Sequence, residues 1–295
     1  MVVRMDSLSN VLVGALVLAS VYSLVGSGFV VLFKSTGVLN FAQGAFMAIG
    51  ALIFASSTSH LHLGLVVGLC VSVASMGLFA SVVYWVVFAR LRGRDQLVLS
   101  IATIGLGTLL QMIANMVWGS DVRRVDHVVS YRRIVIGPFS TTPAQLTAVA
   151  IGVVGVLLLS ALMRYTRIGL RMQATADSAI LAEYVGARPS AMSALAWGLA
   201  GAAAGAAGTS YSIQSQLDPT SLVALGLAAF PAIILGGIDS LPGVALGAIL
   251  VGLVQSWVGV AFGGEWQAPA AYLLLVVVVV LRPRGLMGTQ DVARI

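Results

Sequence analysis

Between residues 11 and 33 the chain carries no charged side chain. That run exceeds the roughly 20 apolar residues needed to cross the hydrocarbon of a bilayer. Eight more apolar runs follow, at 38–55, 61–89, 97–118, 144–163, 191–211, 222–235, 241–262 and 268–281. In hydrocarbon the backbone must satisfy its own N–H and C=O groups, so runs of this kind are expected to be helical. With 59% hydrophobic and 9% charged residues, the chain has too little polar surface for a soluble globule. The expected fold is an all-α, polytopic membrane bundle of about 8–10 segments. It forms one domain over residues 1–295. Runs 38–55 and 222–235 are short or broken by Gly, Gln, Asn or Pro, and run 61–89 is long enough to tilt. Arg4 ahead of an apolar stretch imitates a secretory signal, but the stretch continues to span length and reads as the first transmembrane helix.

The 16 basic residues, 15 of them Arg, outnumber the 10 acidic ones. They fall in the breaks between apolar runs and are not interleaved with aromatics, which speaks for anchoring at a membrane face and against nucleic acid. Alternation through nine segments, with the C-terminus inside, places Lys34, Arg90, Arg92, Arg94, Arg164, Arg167, Arg171, Arg188, Arg282, Arg284 and Arg294 in the cytoplasm and the N-terminus outside. Arg123, Arg124, Arg132 and Arg133 share an external loop with Asp121 and Asp126, which is expected to form a partly neutralised cap.

Several chemistries are excluded. A phosphate-binding loop needs a second Gly just before its Lys. Phe33 holds that place beside Lys34, the chain's one lysine, so the chain cannot hydrolyse ATP by itself. His60, His62 and His127 lie in expected loops without a carboxylate or Cys to complete a metal site, and Cys70 has no intrachain partner. Proton- or sodium-coupled carriers bury Asp, Glu or His inside their spans. Here every acidic residue falls at a segment edge or in a loop.

What the spans do contain is uncharged polarity. Asn40 and Gln43 sit in the first broken segment, Gln111 and Asn115 lie four apart on one helical face, and Gln214, Gln255 and Ser256 follow. Asn40, Gln43, Gln111 and Asn115, with Phe230 and Pro231 at the second break, are the candidate translocation path; the four amides could also form the pore of a self-sufficient channel or facilitator for small neutral solutes, or equally be packing glue. A weak echo between 39–52 and 225–238 admits an inverted repeat around a substrate path, or close helix packing. Gly198, Gly201, Gly205 and Gly208 recur at three and four, and 201–205 and 243–247 are each GxxxG, which reads as helix packing.

The stretch 164–189, RYTRIGLRMQATADSAILAEYVGARP, is too polar to span and too patterned for a slack loop. It should be helical, with Ile180, Leu181, Tyr184 and Val185 as an apolar stripe and Gly186 as its stop. Such an element could rest on anionic lipid, or dock on a soluble partner with Arg167, Arg171, Asp177 and Glu183 at the rim.

Taken together, GVLNFAQGAFMAIGA (37–51), TRIGLRMQATADSAILAEYVGARPSAMSALAWGLAGAAAGAAG (166–208), AFPAIILGGIDSLPGVALGAILVGLVQ (229–255) and LRPRGLMG (281–288) resemble the LivH-type permease subunits of ABC importers for branched-chain amino acids, a family shared with urea and amide importers. The resemblance implies a non-catalytic subunit without cofactors of its own. Its partners would be a LivM-like second permease, two cytoplasmic ABC ATPases that bind ATP and Mg, and an extracytoplasmic solute-binding protein, in a bacterial plasma membrane. It also implies that 164–190 is the cytoplasmic coupling element, with Arg167, Gly169, Arg171, Asp177, Glu183 and Gly186 as its functional positions. Gln255 departs from the pattern, where many members look to have Glu.

Overall fold

An apolar run in lipid has one way to satisfy its backbone locally, and each of the nine runs contains helix. The computed structural model describes residues 2–119, 125, 128–136, 139–184, 186–215, 217–282 and 285–288. In chain order the helices are α1 (Val2–Thr36), α2 (Gln43–Ser59), α3 (Leu65–Val86), α4 (Gln96–Trp118), α5 (Pro143–Tyr165), α6 (Arg167–Asp177), α7 (Ala179–Tyr184), α8 (Pro189–Ser212), α9 (Pro219–Leu227), α10 (Phe230–Gly236), α11 (Leu241–Phe262) and α12 (Gln267–Leu281). Before α5 lies a short antiparallel pair, β1 (Ile134–Ile136) and β2 (Phe139–Thr141), with Ile134 opposite Thr141.

Among the described residues, seven helical stretches are long and apolar enough to cross a membrane: Ser9–Thr36, Leu65–Leu91, Gln96–Trp118, Pro143–Tyr165, Pro189–Ser212, Leu241–Phe262 and Gly264–Leu281. The other two runs are those read as short or broken. Run 38–55 becomes a linker and the 17-residue α2, and run 222–235 becomes α9 and α10, interrupted at Ala228 and Ala229. The two echoed stretches therefore differ in build, one a linker leading into a continuous helix and the other a pair of half-helices.

Local chemistry sets the boundaries. Asp95 caps α4 by accepting from the Leu97 N–H at 3.1 Å, and Ser240 caps α11 from Gly243 at 3.1 Å. Thr142 and Gln145 form a reciprocal capping box on α5, with Pro143 at its first position.

The core is built on α8, which packs against α1, α2 and α3. Its glycines are where the neighbours touch. A Cβ on Gly205 would stand 2.8 Å from the Ser72 carbonyl oxygen of α3, and one on Gly208 would stand 2.6 Å from the Ala51 nitrogen of α2. Ser72 Oγ donates to the carbonyls of Gly50 (2.8 Å) and Gly205 (3.2 Å), tying three helices at one point. A second seam joins α1 to α11, where Tyr22 Oη donates to Gln255 Oε1 at 2.9 Å and Ser256 Oγ to the Val11 carbonyl at 2.8 Å. Gln255 is thus buried as an inter-helix tie. By contrast α4 and α12 each present one broad apolar face outward, as helices bordering lipid or another subunit do.

Candidate functional site

Where α1 stops, the chain must reach α2 without helical hydrogen bonds, and side chains supply them instead. The N–H groups of Leu39 and Phe41 donate to Ser100 Oγ (3.3 Å) and Thr103 Oγ1 (3.0 Å) of α4, and Thr103 returns a bond to the Leu39 carbonyl at 3.1 Å. Asn40 Oδ1 accepts from the Ala42 N–H at 3.1 Å. Asn40 Nδ2 donates to Gln43 Oε1 at 3.1 Å, and Gln43 Nε2 donates to the Ala200 carbonyl of α8 at 3.0 Å. Both amides are fully buried, so they form a relay from the linker to the central helix. Because Asn40→Ala strands the Gln43 acceptor in a dry site, it should lower stability by about 1–3 kcal/mol, read as a lower thermal midpoint of the detergent-purified protein.

The two interruptions meet. The rings of Phe41 and Phe230 stack with centroids 5.2 Å apart, and Phe29 meets Phe230 edge-on at 5.2 Å. Close by, a Cβ on Gly44 would stand 2.5 Å from the Val223 carbonyl of α9, so the start of α2 lies against the end of α9. Pro231 is buried in the first turn of α10, where a missing N–H costs nothing. Phe41 and Phe230 remain partly open. Sequence reasoning missed Phe41, although it lies between the two amides that were singled out. Gln111 and Asn115 sit on α4 at the margin between its packed and open faces, and Asn115 Oδ1 is enclosed without a hydrogen-bond partner.

The polar stretch after α5 folds back on the bundle. Thr166 caps α6 by accepting from the Gly169 N–H at 3.2 Å. Gly169 lies so close to the end of α5 that a Cβ would stand 2.5 Å from the Met163 carbonyl oxygen, which only glycine permits. Met172 and Thr175 are buried against the bundle, whereas Arg167, Arg171 and Leu170 point outward. The helical stretch is divided in two, because Ser178 is extended (φ −160°) and separates α6 from α7. Tyr184, placed by the sequence in an apolar stripe, is 83% exposed, as is Glu183 beside it in large part. Gly186, at φ +78°, turns the chain out of α7 towards α8. Val185 lies outside the described residues, as do the side chains of Asp177, Ile180 and Leu181.

Around α6 the ends of three spans gather their cations. Lys34 at the end of α1 and Arg164 at the end of α5 line one crevice together with Gln173 of α6. Arg92 and Arg94, ahead of α4, line another with Thr175 of α6 and Pro189 of α8. Arg132 and Arg133 are exposed ahead of β1, while Asp121, Arg123, Arg124, Asp126, His127, Arg284 and Arg294 lie outside the described residues.

Residues 11–281 match the model of a family described as the permease component of branched-chain amino acid transport systems. The chain belongs to that family. It is 25% identical to the high-affinity branched-chain amino acid transport system permease protein BraD of Pseudomonas aeruginosa, over 96% of this chain and 97% of that one. Against the corresponding protein LivH of Escherichia coli K12 it is 25% identical over 94% of each. A probable permease of the same transport class from Methanocaldococcus jannaschii is 21% identical over 95% of this chain and 92% of its own. Among solved structures, a chain of PsaBC from Streptococcus pneumoniae in complex with Fab superposes with a TM-score of 0.51, covering 96% of this chain and 97% of that one. At 15% identity that likeness concerns the fold alone.

Proposed function

We propose that the chain is the permease of an ATP-driven importer for branched-chain amino acids or related small polar solutes, providing half of the translocation path. In this reading it works with a LivM-like second permease, two ATPases that hold ATP and Mg, and an extracytoplasmic binding protein. The observation that carries it is the non-spanning pair α6–α7, braced on the ends of α1, α5 and α8, with Arg167, Arg171, Leu170, Glu183 and Tyr184 directed away from the bundle. A patterned outward surface on a rigid base has the build of a docking element. The cations around it support a reading in which that end faces the cytoplasm, with the C-terminus inside and the N-terminus outside.

The proposed path runs past the meeting of the two breaks, along Phe230, Pro231, Gln111 and Asn115, with Asn40 and Gln43 shaping its wall. Uncharged groups suit zwitterionic or neutral solutes, because weak partners release what they bind. ATP binding closes the ATPase pair, draws the coupling elements together and opens the path outward, which empties the docked binding protein.

The test is the double variant R167E/R171E in the assembled complex. Reversing two charges at a docking rim should weaken ATPase binding about 10-fold or more and reduce stimulation by loaded binding protein to the basal rate. Unchanged stimulation would remove both arginines from coupling.

A further inference from the structure

The crevice between the ends of α1 and α5, the flank of α6 and the start of α11 encloses about 520 Å³. Its two kinds of wall call for a particular ligand. Lys34 and Arg164 contribute two cations against the single carboxylate of Asp239, and the Gln173 amide and the hydroxyls of Ser160 and Ser240 add polar groups. The remaining wall is apolar, including Met163, Leu170 and Leu241. Lys34 is two residues from the end of α1, Arg164 one from the end of α5, and Ser240 caps α11, so the crevice opens at the level where spans leave the hydrocarbon. A basic pocket with greasy walls at that level matches one amphiphile, an anionic phospholipid whose phosphodiester meets the cations while its glycerol and upper acyl chain lie on the apolar side.

We propose that this crevice is a binding site for an anionic phospholipid of the phosphatidylglycerol class. The seated lipid bridges α1, α5, the α10–α11 turn and α6. Gln173 Nε2 of α6 already donates to the Met163 carbonyl at the end of α5 (3.1 Å), and the lipid would fasten the same junction from outside. The site borders the docking surface above and shares Leu170 with it, but Arg167 and Arg171 do not line it.

The proposal is tested by lipid retention, whatever the chain transports. The full chain, purified in its complex, is placed in nanodiscs of phosphatidylcholine with a minor share of phosphatidylglycerol, and the lipids retained on extraction are counted by native mass spectrometry. The parent should keep phosphatidylglycerol in preference to phosphatidylcholine. K34Q/R164Q should lose that preference about 30-fold and K34Q alone about 5-fold, each cation supplying a similar factor. R132Q, in the Arg-rich loop, and the charge-preserving R164K should match the parent. Should the double variant not fold, K34Q still decides the matter. Equal retention by K34Q and the parent would overturn the proposal, and so would displacement of the lipid by millimolar inorganic phosphate, which would identify a site for free phosphate.

Discussion

Gly205→Leu is expected to abolish the folded protein. A side chain at that position enters a contact already occupied by backbone, with the Ser72 carbonyl oxygen 2.8 Å and its carbon 3.1 Å from an added Cβ. On the same spot a Cβ of Gly50 would stand 2.7 Å from the Gly205 Cα, so α2, α3 and α8 would all have to separate. Overpacking costs about 1–3 kcal/mol where neighbours can adjust. Here the neighbours are helix backbones, and separating them also breaks the bonds from Ser72 Oγ to Gly50 and Gly205. Small residues at such crossings are what hold membrane helices together, since apolar surface gains nothing by leaving lipid for protein. The variant should lose its monodisperse peak in size-exclusion chromatography, or show a thermal midpoint lower by roughly 5–10 °C if some of it folds. Gly105→Leu on α4, where an added Cβ meets nothing within 4 Å, should behave as the parent in the same assay. Equal behaviour of both variants would contradict the packing described for α8.

The bundle was legible in the sequence because a span announces itself through composition. Each of the nine apolar runs contains helix, and the glycine period on α8 does mark a packed face. What the sequence could not supply is the identity of distant partners. Asn40 and Gln43 read equally as path or as glue, since the carbonyl that receives Gln43 belongs to Ala200, 157 positions away. Ser178, which splits the polar stretch into α6 and α7, lies in an Ala-Asp-Ser-Ala context without Gly or Pro to mark a break. The strands β1 and β2 are three residues each, too short for an alternation to emerge beside the arginines of that loop. Phe41 and Phe230, 189 positions apart, become a pair only when both interruptions fold to one place.

The second large effect concerns energy. Among the described residues, the acidic side chains sit near helix ends, in short connecting segments or in α6 and α7. Carriers that run on ion gradients use buried ionisable groups for that purpose. Lys34 sits in the last turn of α1, within a helix that offers no phosphate-cradling loop. In the proposed reading the chain supplies a path and a lever, and accumulation follows the ATPase. The decisive measurement is uptake of radiolabelled leucine into proteoliposomes, with ATP enclosed or supplied on the side of α6. Vesicles holding this chain alone, under an imposed proton or sodium gradient, should accumulate nothing. Vesicles holding the chain with its second permease, both ATPases and a loaded binding protein should concentrate solute when ATP is present. Uphill uptake by the chain alone, or uptake by the full assembly that ignores ATP, would contradict the account.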